Sequence, residues 1–414
     1  MPPTIQVKGD EQSVSTGGVA DSPDVALRMR VEPTLRVSSV AAGLTTPPPV
    51  KLPSPVAAPA AKGRDALWID KFLVKKQQQN EQAAVSLPVQ RLLSLAPELH
   101  QQLKDLSATT VVPSGLIAAL WRTLEANTRK HEHTWQFVET DGRFDYSDDL
   151  IPESMDTPDA VFGRFRDVLL VRNSALPDRV RSKDQGTRHF LHANHVDLGC
   201  GRRFIAGQKP VSGEIPGFQQ MLIEQNVGVI VDLTRSREEQ QAGVYIPEHK
   251  TKFIDADGCQ VLVLCSEIKR LKNLTAVGQY FRMNNGKFIN EVQRLHFLEW
   301  PDHGVIASDT LISLADEVDA LGRDPKRAIF VHCMAGMGRT GTLISFLAAR
   351  TRIRQELLTR NLSLNTEIVL RVAIEVVARG RLDRGPFFVQ TEGQFGLLAR
   401  ALLKDFSREP SHGQ

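Results

Sequence analysis

Within Val331-His332-Cys333-Met334-Ala335-Gly336-Met337-Gly338-Arg339-Thr340-Gly341, a cysteine and an arginine stand six positions apart on a glycine-rich stretch. Ala328-Ile329-Phe330-Val331 before it reads as a short strand rich in β-branched residues. Leu343, Ile344, Phe346 and Leu347 after it continue a helix that begins near Arg339. A loop running into a helix N-terminus aims unpaired backbone N–H groups and the positive end of the helix dipole at one point. A phosphoryl group suits that point. The same field stabilises a thiolate, which makes Cys333 a nucleophile near neutral pH. These residue types in this order point to covalent catalysis on a phosphate ester.

Two other readings compete. Gly336-Met337-Gly338-Arg339-Thr340-Gly341 also fits the G-x-G-x-x-G dinucleotide fingerprint, which needs an acidic residue about 20 positions on, at the end of a second strand. Glu356 lies near that distance but among Arg352, Arg354, Gln355 and Leu357, with no strand pattern, and Cys333 and Arg339 are left without a role. The plainer alternative is a buried strand-end cysteine beside a solvated helix arginine, which is the commoner case for an isolated thiol. Here the thiol is flanked by His332, loop glycines, an arginine and a hydroxyl. The string His-Cys-x-x-Gly-x-x-Arg-Thr resembles the phosphate-binding loop of protein tyrosine phosphatases. On that resemblance the backbone of Met334, Ala335, Gly336, Met337 and Gly338 cradles the phosphate, and Arg339 grips it through a bidentate fork. Thr340 supports the departing thiolate, and His332 helps set the thiol pKa through its hydrogen bonds.

Other strings extend the resemblance. Asp302 lies 31 residues before Cys333 in Trp300-Pro301-Asp302-His303-Gly304-Val305, on a Pro- and Gly-flanked loop of the kind that swings. An Asp in a loop is more often a turn former. The Trp-Pro-Asp-x-Gly string, however, resembles the mobile acid loop of the same family, which implies Asp302 as general acid and then base, with Trp300 anchoring the loop. Val389-Gln390-Thr391-Glu392-Gly393-Gln394-Phe395 looks like the family's glutamine loop, so Gln390 and Gln394 would position the hydrolytic water. Arg164-Phe165-Arg166-Asp167-Val168 is similar to its phosphotyrosine-recognition segment. By that similarity Phe165 stacks on the substrate ring and Asp167 holds the substrate backbone, an aromatic wall that favours phosphotyrosine over phosphoserine. Phe204 to Pro210 and Tyr245-Ile246-Pro247 resemble framework strings. The family's loop carboxylate that supports the active-site arginine is expected, by order, at Asp255. No metal or organic cofactor is implied.

Composition bounds the rest. The 414 residues carry 51 basic and 48 acidic side chains, net +3, too small a surplus for a general nucleic-acid binder. The four cysteines, Cys200, Cys259, Cys265 and Cys333, show neither metal-ligand spacing nor a dense disulfide framework, which implies a reducing, cytoplasmic working environment. No run approaches the roughly 18 apolar residues of a membrane span, and the N-terminus lacks a Sec-type signal.

Along the chain, residues 1–63 hold no aromatic residue and no cysteine, and are rich in Pro, Ser, Thr, Val and Ala. Such a segment cannot bury enough apolar surface to offset its ordering entropy and is expected to be a disordered leader, either an inert linker or an export address. Residues 64–135 read as helical, from Leu92, Leu95, Leu99 and Leu103 and from Leu116, Ile117, Leu120, Trp121 and Leu124; Ser114-Gly115 marks a helix start. They form either an accessory, chaperone-binding region or the helices that precede the catalytic core. Beyond about 140, strand-like runs (Val227–Leu233, Val261–Leu264, Val292–Phe297) alternate with helical ones (Phe218–Gln225, Leu311–Leu321, Leu397–Leu403). The expected fold is α/β (α+β), a twisted mixed sheet flanked by helices over 140–406, with a polar tail at 407–414.

The chain is thus expected to be a protein-tyrosine phosphatase acting on tyrosine-phosphorylated proteins through a cysteinyl-phosphate. The leader and helical segment resemble those of bacterial effectors injected into the host cytoplasm by type III secretion, with a secretion chaperone as partner. A dual-specificity or phosphoinositide phosphatase, and a catalytically dead phosphotyrosine-binding module, are the alternatives. Met334, Ala335 and Met337 bring no lysine for a polyphosphorylated headgroup, and the full set of reactive residues argues against the dead module.

Overall fold

The computed structural model describes residues 114–130, 135–138, 159–161, 163–165, 168–179, 188–235, 238, 245–246, 252–254, 260–271, 274–284, 286, 288–360 and 364–408. The leader, the leucine stripe at 92–103, Asp167, Asp255 and residues 409–414 lie outside the described residues.

The first described helix, α1 (Ser114–Lys130), starts where Ser114-Gly115 predicts. Its Leu116, Ile117, Leu120 and Leu124 recur at helical spacing, and all are buried. Short strands β1 (Phe137–Val138), β2 (Asp159–Val161), β3 (Leu170–Val171) and β4 (Ala175–Pro177) lead to β5 (Arg188–Val196) and β6 (Phe204–Gln208). Helix α2 (Ile215–Glu224) carries Pro216 in its first turn, where no intrahelical N–H is needed, and is followed by β7 (Val227–Asp232). Then come β8 (Lys252–Ile254), β9 (Gln260–Leu271), β10 (Leu274–Asn284) and β11 (Ile289–Phe297). Helix α3 (Ser308–Leu321) and strand β12 (Ala328–Cys333) precede α4 (Gly338–Arg360), α5 (Thr366–Arg384) and α6 (Glu392–Arg408).

Among the described residues one mixed sheet runs in the order β2-β5-β6-β12-β7-β11-β10-β9-β8, with β4 beside β5; β1 and β3 pair separately. The middle strands β6, β12, β7 and β11 are mutually parallel, while β5–β6, β10–β11, β9–β10 and β8–β9 are antiparallel. Parallel strands covered on both faces read as continuous apolar runs, which is why Ala328–Val331 and Val227–Val231 stand out in the sequence. Alternation divides them between two cores. Ile329, Val331, Val229, Val231 and Phe204 pack under α1 and α3 to α6, and Phe330, Ile230 and Ile205 pack against Phe218, Met221 and Leu222 of α2. Each fully buried side chain of this size contributes roughly 1.5–3 kcal/mol. Helix α1 shares the first of these cores with α5 and α6.

Strand β9 continues well past the expected Val261–Leu264, through Glu267, Lys269 and Arg270 to Leu271, because its ladder to β10 is made by backbone groups whatever the side chains. No helix of the described residues is long and apolar enough to cross a membrane. The carboxyl ends of β7 and β12 lie side by side, His332 opposite Asp232, and it is there that an α/β sheet opens a crevice for ligands.

Candidate active site

Strand β12 ends at Cys333 and α4 begins at Gly338, so residues 334–337 form a tight loop between a central strand and a helix N-terminus. Gly336 makes the turn possible at φ +72°, and a Cβ on it would lie 1.9 Å from the carbonyl oxygen of Gly207. Its N–H donates to the Cys333 sulfur at 3.3 Å. The Met334 carbonyl accepts from the Lys209 amide at 3.1 Å. Arg384 of α5, fully buried, takes up the Ala335 and Gly336 carbonyls at 3.1 Å each, through Nη2 and Nε. Burial pulls Arg384 down to about 9, against the pull of Cys333 and Glu214. Met334 and Met337 are buried, so their side chains serve the core.

Arg339, in the first turn of α4, is 1 % exposed. Its Nη1 and Nη2 donate to both carboxylate oxygens of Glu238 at 2.8 and 3.0 Å, and Nη1 also reaches the carbonyls of Leu233 and Trp300. Nη2 donates to Asp302 Oδ1 at 2.9 Å. Burial opposes the guanidinium's charge, but Cys333, Glu238 and Asp302 outweigh it and raise its pKa. Asp255, expected as the arginine's carboxylate, lies outside the described residues; among those described, the carboxylate that takes both Nη atoms is Glu238, which follows the carboxyl end of β7, next to β12.

The acid loop is held over the phosphate loop by that same arginine. Trp300 is fully buried and its Nε1 donates to the Gly304 carbonyl at 3.2 Å, closing the loop on itself around Asp302, which is 55 % exposed. His303 takes up a positive φ of 51° at the turn.

Gln390 arrives from the loop between α5 and α6, and Gln394 from the first turn of α6. The Gln394 carboxamide is buried. Its Oε1 accepts from the Gln390 amide at 2.9 Å, and its Nε2 reaches the Gly304 carbonyl at 3.5 Å, which ties this loop to the acid loop. A Cβ on Gly338 would lie 2.8 Å from Gln394 Oε1 and 3.0 Å from Gln390 Oε1, so both carboxamides sit against the start of α4. The Thr340 hydroxyl is buried with no hydrogen-bond partner among the described residues.

His332 turns away from the sulfur. Its Nδ1 lies 3.3 Å from the Cys333 carbonyl oxygen and its Nε2 2.7 Å from the Tyr245 hydroxyl. Burial lowers it to about 4, helped by Lys209 and Arg294 and opposed by Asp232, so the ring is neutral at physiological pH. Asp232 is itself buried; the positive charges packed around it, Arg294 and Lys209 among them, overcome the burial penalty and hold its carboxyl well below the usual range.

Phe165 is half-buried, on a segment tied to the phosphate loop in two steps: the Arg164 amide donates to Gln208 Oε1 at 2.9 Å, and the Lys209 amide to Met334. Thus Cys333, Arg339, Asp302, Gln390, Gln394, Thr340 and His332 converge on one place. Glu238 and Arg384 join them without having been read from the sequence. Glu238 had one local signal, a charged run directly after a buried central strand. Among the described residues no group of three or more His, Cys, Asp or Glu side chains is placed to hold a metal ion.

Residues 164–404 match the family described as protein-tyrosine phosphatase. The chicken (Gallus gallus) receptor-type tyrosine-protein phosphatase eta is 31% identical over 225 residues, 52% of this chain and 15% of that protein. Human receptor-type tyrosine-protein phosphatase R is 26% identical over 264 residues, 62% of this chain and 37% of that protein. The chain therefore spans well under half the length of these relatives. Among solved structures, the catalytic domain of human protein tyrosine phosphatase non-receptor type 18 is similar with a TM-score of 0.53 at 22% identity, covering 70% of this chain and 96% of that one. PTPN18 in complex with HER2-pY1196 phosphopeptides gives a TM-score of 0.56 at 21% identity, over 75% and 99% of the two chains. At such identities the likeness is one of fold.

Proposed function

Because this chain belongs to the protein-tyrosine phosphatase family, we propose that it hydrolyses phosphotyrosine in proteins through a cysteinyl-phosphate. The observation that carries this reading is the contact of Asp302 with Arg339, which brings the acid to the group that grips the phosphate, in the first helical turn after the nucleophile's loop. The Cys333 thiolate attacks phosphorus in line, forming the S–P bond as the bond to the phenolic oxygen breaks. Asp302 delivers its proton to that oxygen, so a neutral tyrosine leaves. The loop amides and the Arg339 fork stabilise the charge on the equatorial oxygens. Water placed by Gln394 and Gln390 then gives its proton to Asp302 and attacks phosphorus, and the thiolate departs beside the Thr340 hydroxyl. Phe165 serves as the wall for the substrate ring and Asp167 as the anchor of its backbone. His332, neutral and bonded to the Cys333 carbonyl, orients the strand end.

Phosphate release from phosphotyrosine peptides by the wild type, abolished by Cys333→Ser, is the expected result. No turnover by the folded wild type would refute the enzyme reading and leave a binding module. Comparable rates on phosphothreonine peptides or phosphoinositides would overturn tyrosine specificity.

The aromatic-free, cysteine-free composition of residues 1–63 supports a finer reading, delivery into a host cytoplasm as a type III effector with a chaperone on the adjoining region. Fused to a translocation reporter, residues 1–63 should be carried across by a competent secretion strain; no transfer would refute this.

A further inference from the structure

The glutamine loop holds a strained backbone. Val389, directly before Gln390, has φ +59°, a region that β-branched residues rarely enter. Such a conformation persists only where its surroundings over-determine it. Part of the hold is steric. A Cβ on Gly341 would come 2.5 Å from the Val389 nitrogen, and one on Gly380 2.0 Å from the Phe388 ring, so both notches are filled by this loop.

The polar part of the hold is Arg381 of α5, 2 % exposed. Its Nε donates to the Phe388 carbonyl at 3.3 Å and its Nη2 to the Val389 carbonyl at 3.2 Å. Among the described residues, the other polar and ring contacts of its side chain go to α1, which lies before the residues that match the family. Nη1 donates to the Thr128 hydroxyl at 2.6 Å, while that hydroxyl donates onward to the Leu124 carbonyl. Nη2 pairs with Glu125 Oε1 at 2.8 Å, and the guanidinium lies 5.0 Å from the centre of the Trp121 ring. Trp121 also meets Phe395, the neighbour of Gln394, with ring centres 6.0 Å apart. Burial works against the charge of Arg381, and Glu125 is the group that opposes that penalty. Removing the carboxylate would leave a buried cation with no counter-charge, free to let go of the two carbonyls.

The geometry points to helix α1 as a working part of the hydrolysis step: Glu125, Thr128 and Trp121 are positioning residues that act through Arg381 on the loop that bears Gln390 and leads into Gln394. The inference rests on the phosphatase reading and divides its two half-reactions. Formation of the cysteinyl-phosphate draws on Cys333, Arg339 and Asp302, none of which Arg381 touches. Its breakdown draws on water held by the glutamines, and Arg381 fixes the two carbonyls directly before Gln390, whose backbone N–H in turn donates to the Gln394 side chain.

The test uses the full chain with an aryl phosphate under rapid mixing, comparing wild type with Glu125→Gln, Thr128→Val and the double variant. Methanol is added as a competing nucleophile, and methyl phosphate is measured against inorganic phosphate. In the double variant the first release of aryl alcohol should keep its rate. Steady-state turnover should fall on the order of tenfold, a pre-steady-state burst should grow, and the share of methyl phosphate should rise as water loses its fixed place. An unchanged partition ratio and burst, or an equal fall in both half-reactions, would reduce α1 to packing and overturn the inference. Should the double variant fail to fold, the same readouts on Glu125→Gln alone decide, since Glu125 is partly exposed. If the wild type itself forms no cysteinyl-phosphate, the fault lies with the phosphatase reading, which takes this inference with it.

Discussion

His192 offers a test of how the phosphate loop is held. It is buried on β5, and its Nε2 lies 2.9 Å from the Val168 carbonyl, which can only accept, so the proton sits on Nε2. Nδ1 is then the acceptor for Arg384 Nη2 at 3.1 Å, and Arg384 in turn carries the Ala335 and Gly336 carbonyls. Burial first, and the Arg384 charge second, lower the imidazole from 6.5 to about 3. The unfolded chain therefore takes up a proton on this ring below pH 6.5, whereas the folded chain does not until near pH 3. Stability from this group is present in full above 6.5 and is lost as the pH falls toward the folded value. Between pH 7 and pH 5 the loss amounts to about 2 kcal/mol. His192→Gln keeps a donor and an acceptor but cannot titrate. Urea unfolding of both proteins at the two pH values should show the wild type losing about 2 kcal/mol more than the variant on acidification, measured as a difference in which the other acid-sensitive groups, His332 among them, cancel. Equal losses, within about 0.5 kcal/mol, would refute the claim that Arg384 is held by a neutral histidine.

Three further outcomes follow from the geometry. Gly336→Ala places a Cβ 1.9 Å from the Gly207 carbonyl at φ +72° and should cost about 2 kcal/mol or more in urea unfolding. Gly115→Ala, with open space around it in the first turn of α1, should instead be neutral or stabilise by up to about 1 kcal/mol. Glu238→Gln removes the charge that Arg339 grips with both Nη atoms, a charge-assisted interaction worth about 1.5–3 kcal/mol. On phosphotyrosine peptides kcat/KM should then fall roughly ten- to a hundredfold. A variant as active as the wild type would show that the carboxylate does not orient the arginine.

The residues that were legible are those whose chemistry is contiguous. Cys333 to Thr340 form one strand end, one loop and one helical turn, so their spacing along the chain is their spacing in space. Asp302 and the glutamines each carry a local string. Glu238 could not be read this way. It meets Arg339 only because β7 and β12 are neighbours in the sheet although 95 residues separate Asp232 from Ala328 between them, and order along the chain pointed instead to Asp255. Helix α5 was not anticipated for a different reason. Its Ile368, Val369, Val372, Ile374, Val376 and Val377 are β-branched, its Arg381 and Arg384 are of a type that is mostly exposed in proteins, and it is buried around most of its circumference, so no apolar stripe marks it.

Those arginines explain how irregular loops can hold a reacting geometry. Arg339 draws the acid loop in through Trp300 and Asp302, Arg384 carries two carbonyls of the phosphate loop, and Arg381 carries two of the glutamine loop. Each is no more than 2 % exposed. Loops leave backbone carbonyls without ladder partners, and a buried carbonyl left unpaired costs about 1–3 kcal/mol. A guanidinium offers five donors in a rigid fork and keeps its charge where an ammonium would lose it, so one side chain can satisfy two carbonyls and still reach a third group. Lysine at these positions would present a single nitrogen on a flexible stem with a readily depressed pKa. The counter-groups, Glu238 for Arg339 and Glu125 for Arg381, sit on separate elements. The acid loop is thus fixed to α4 and the phosphate and glutamine loops to α5 through different arginines, and a change in one clamp is expected to be read first in the step its own loop serves.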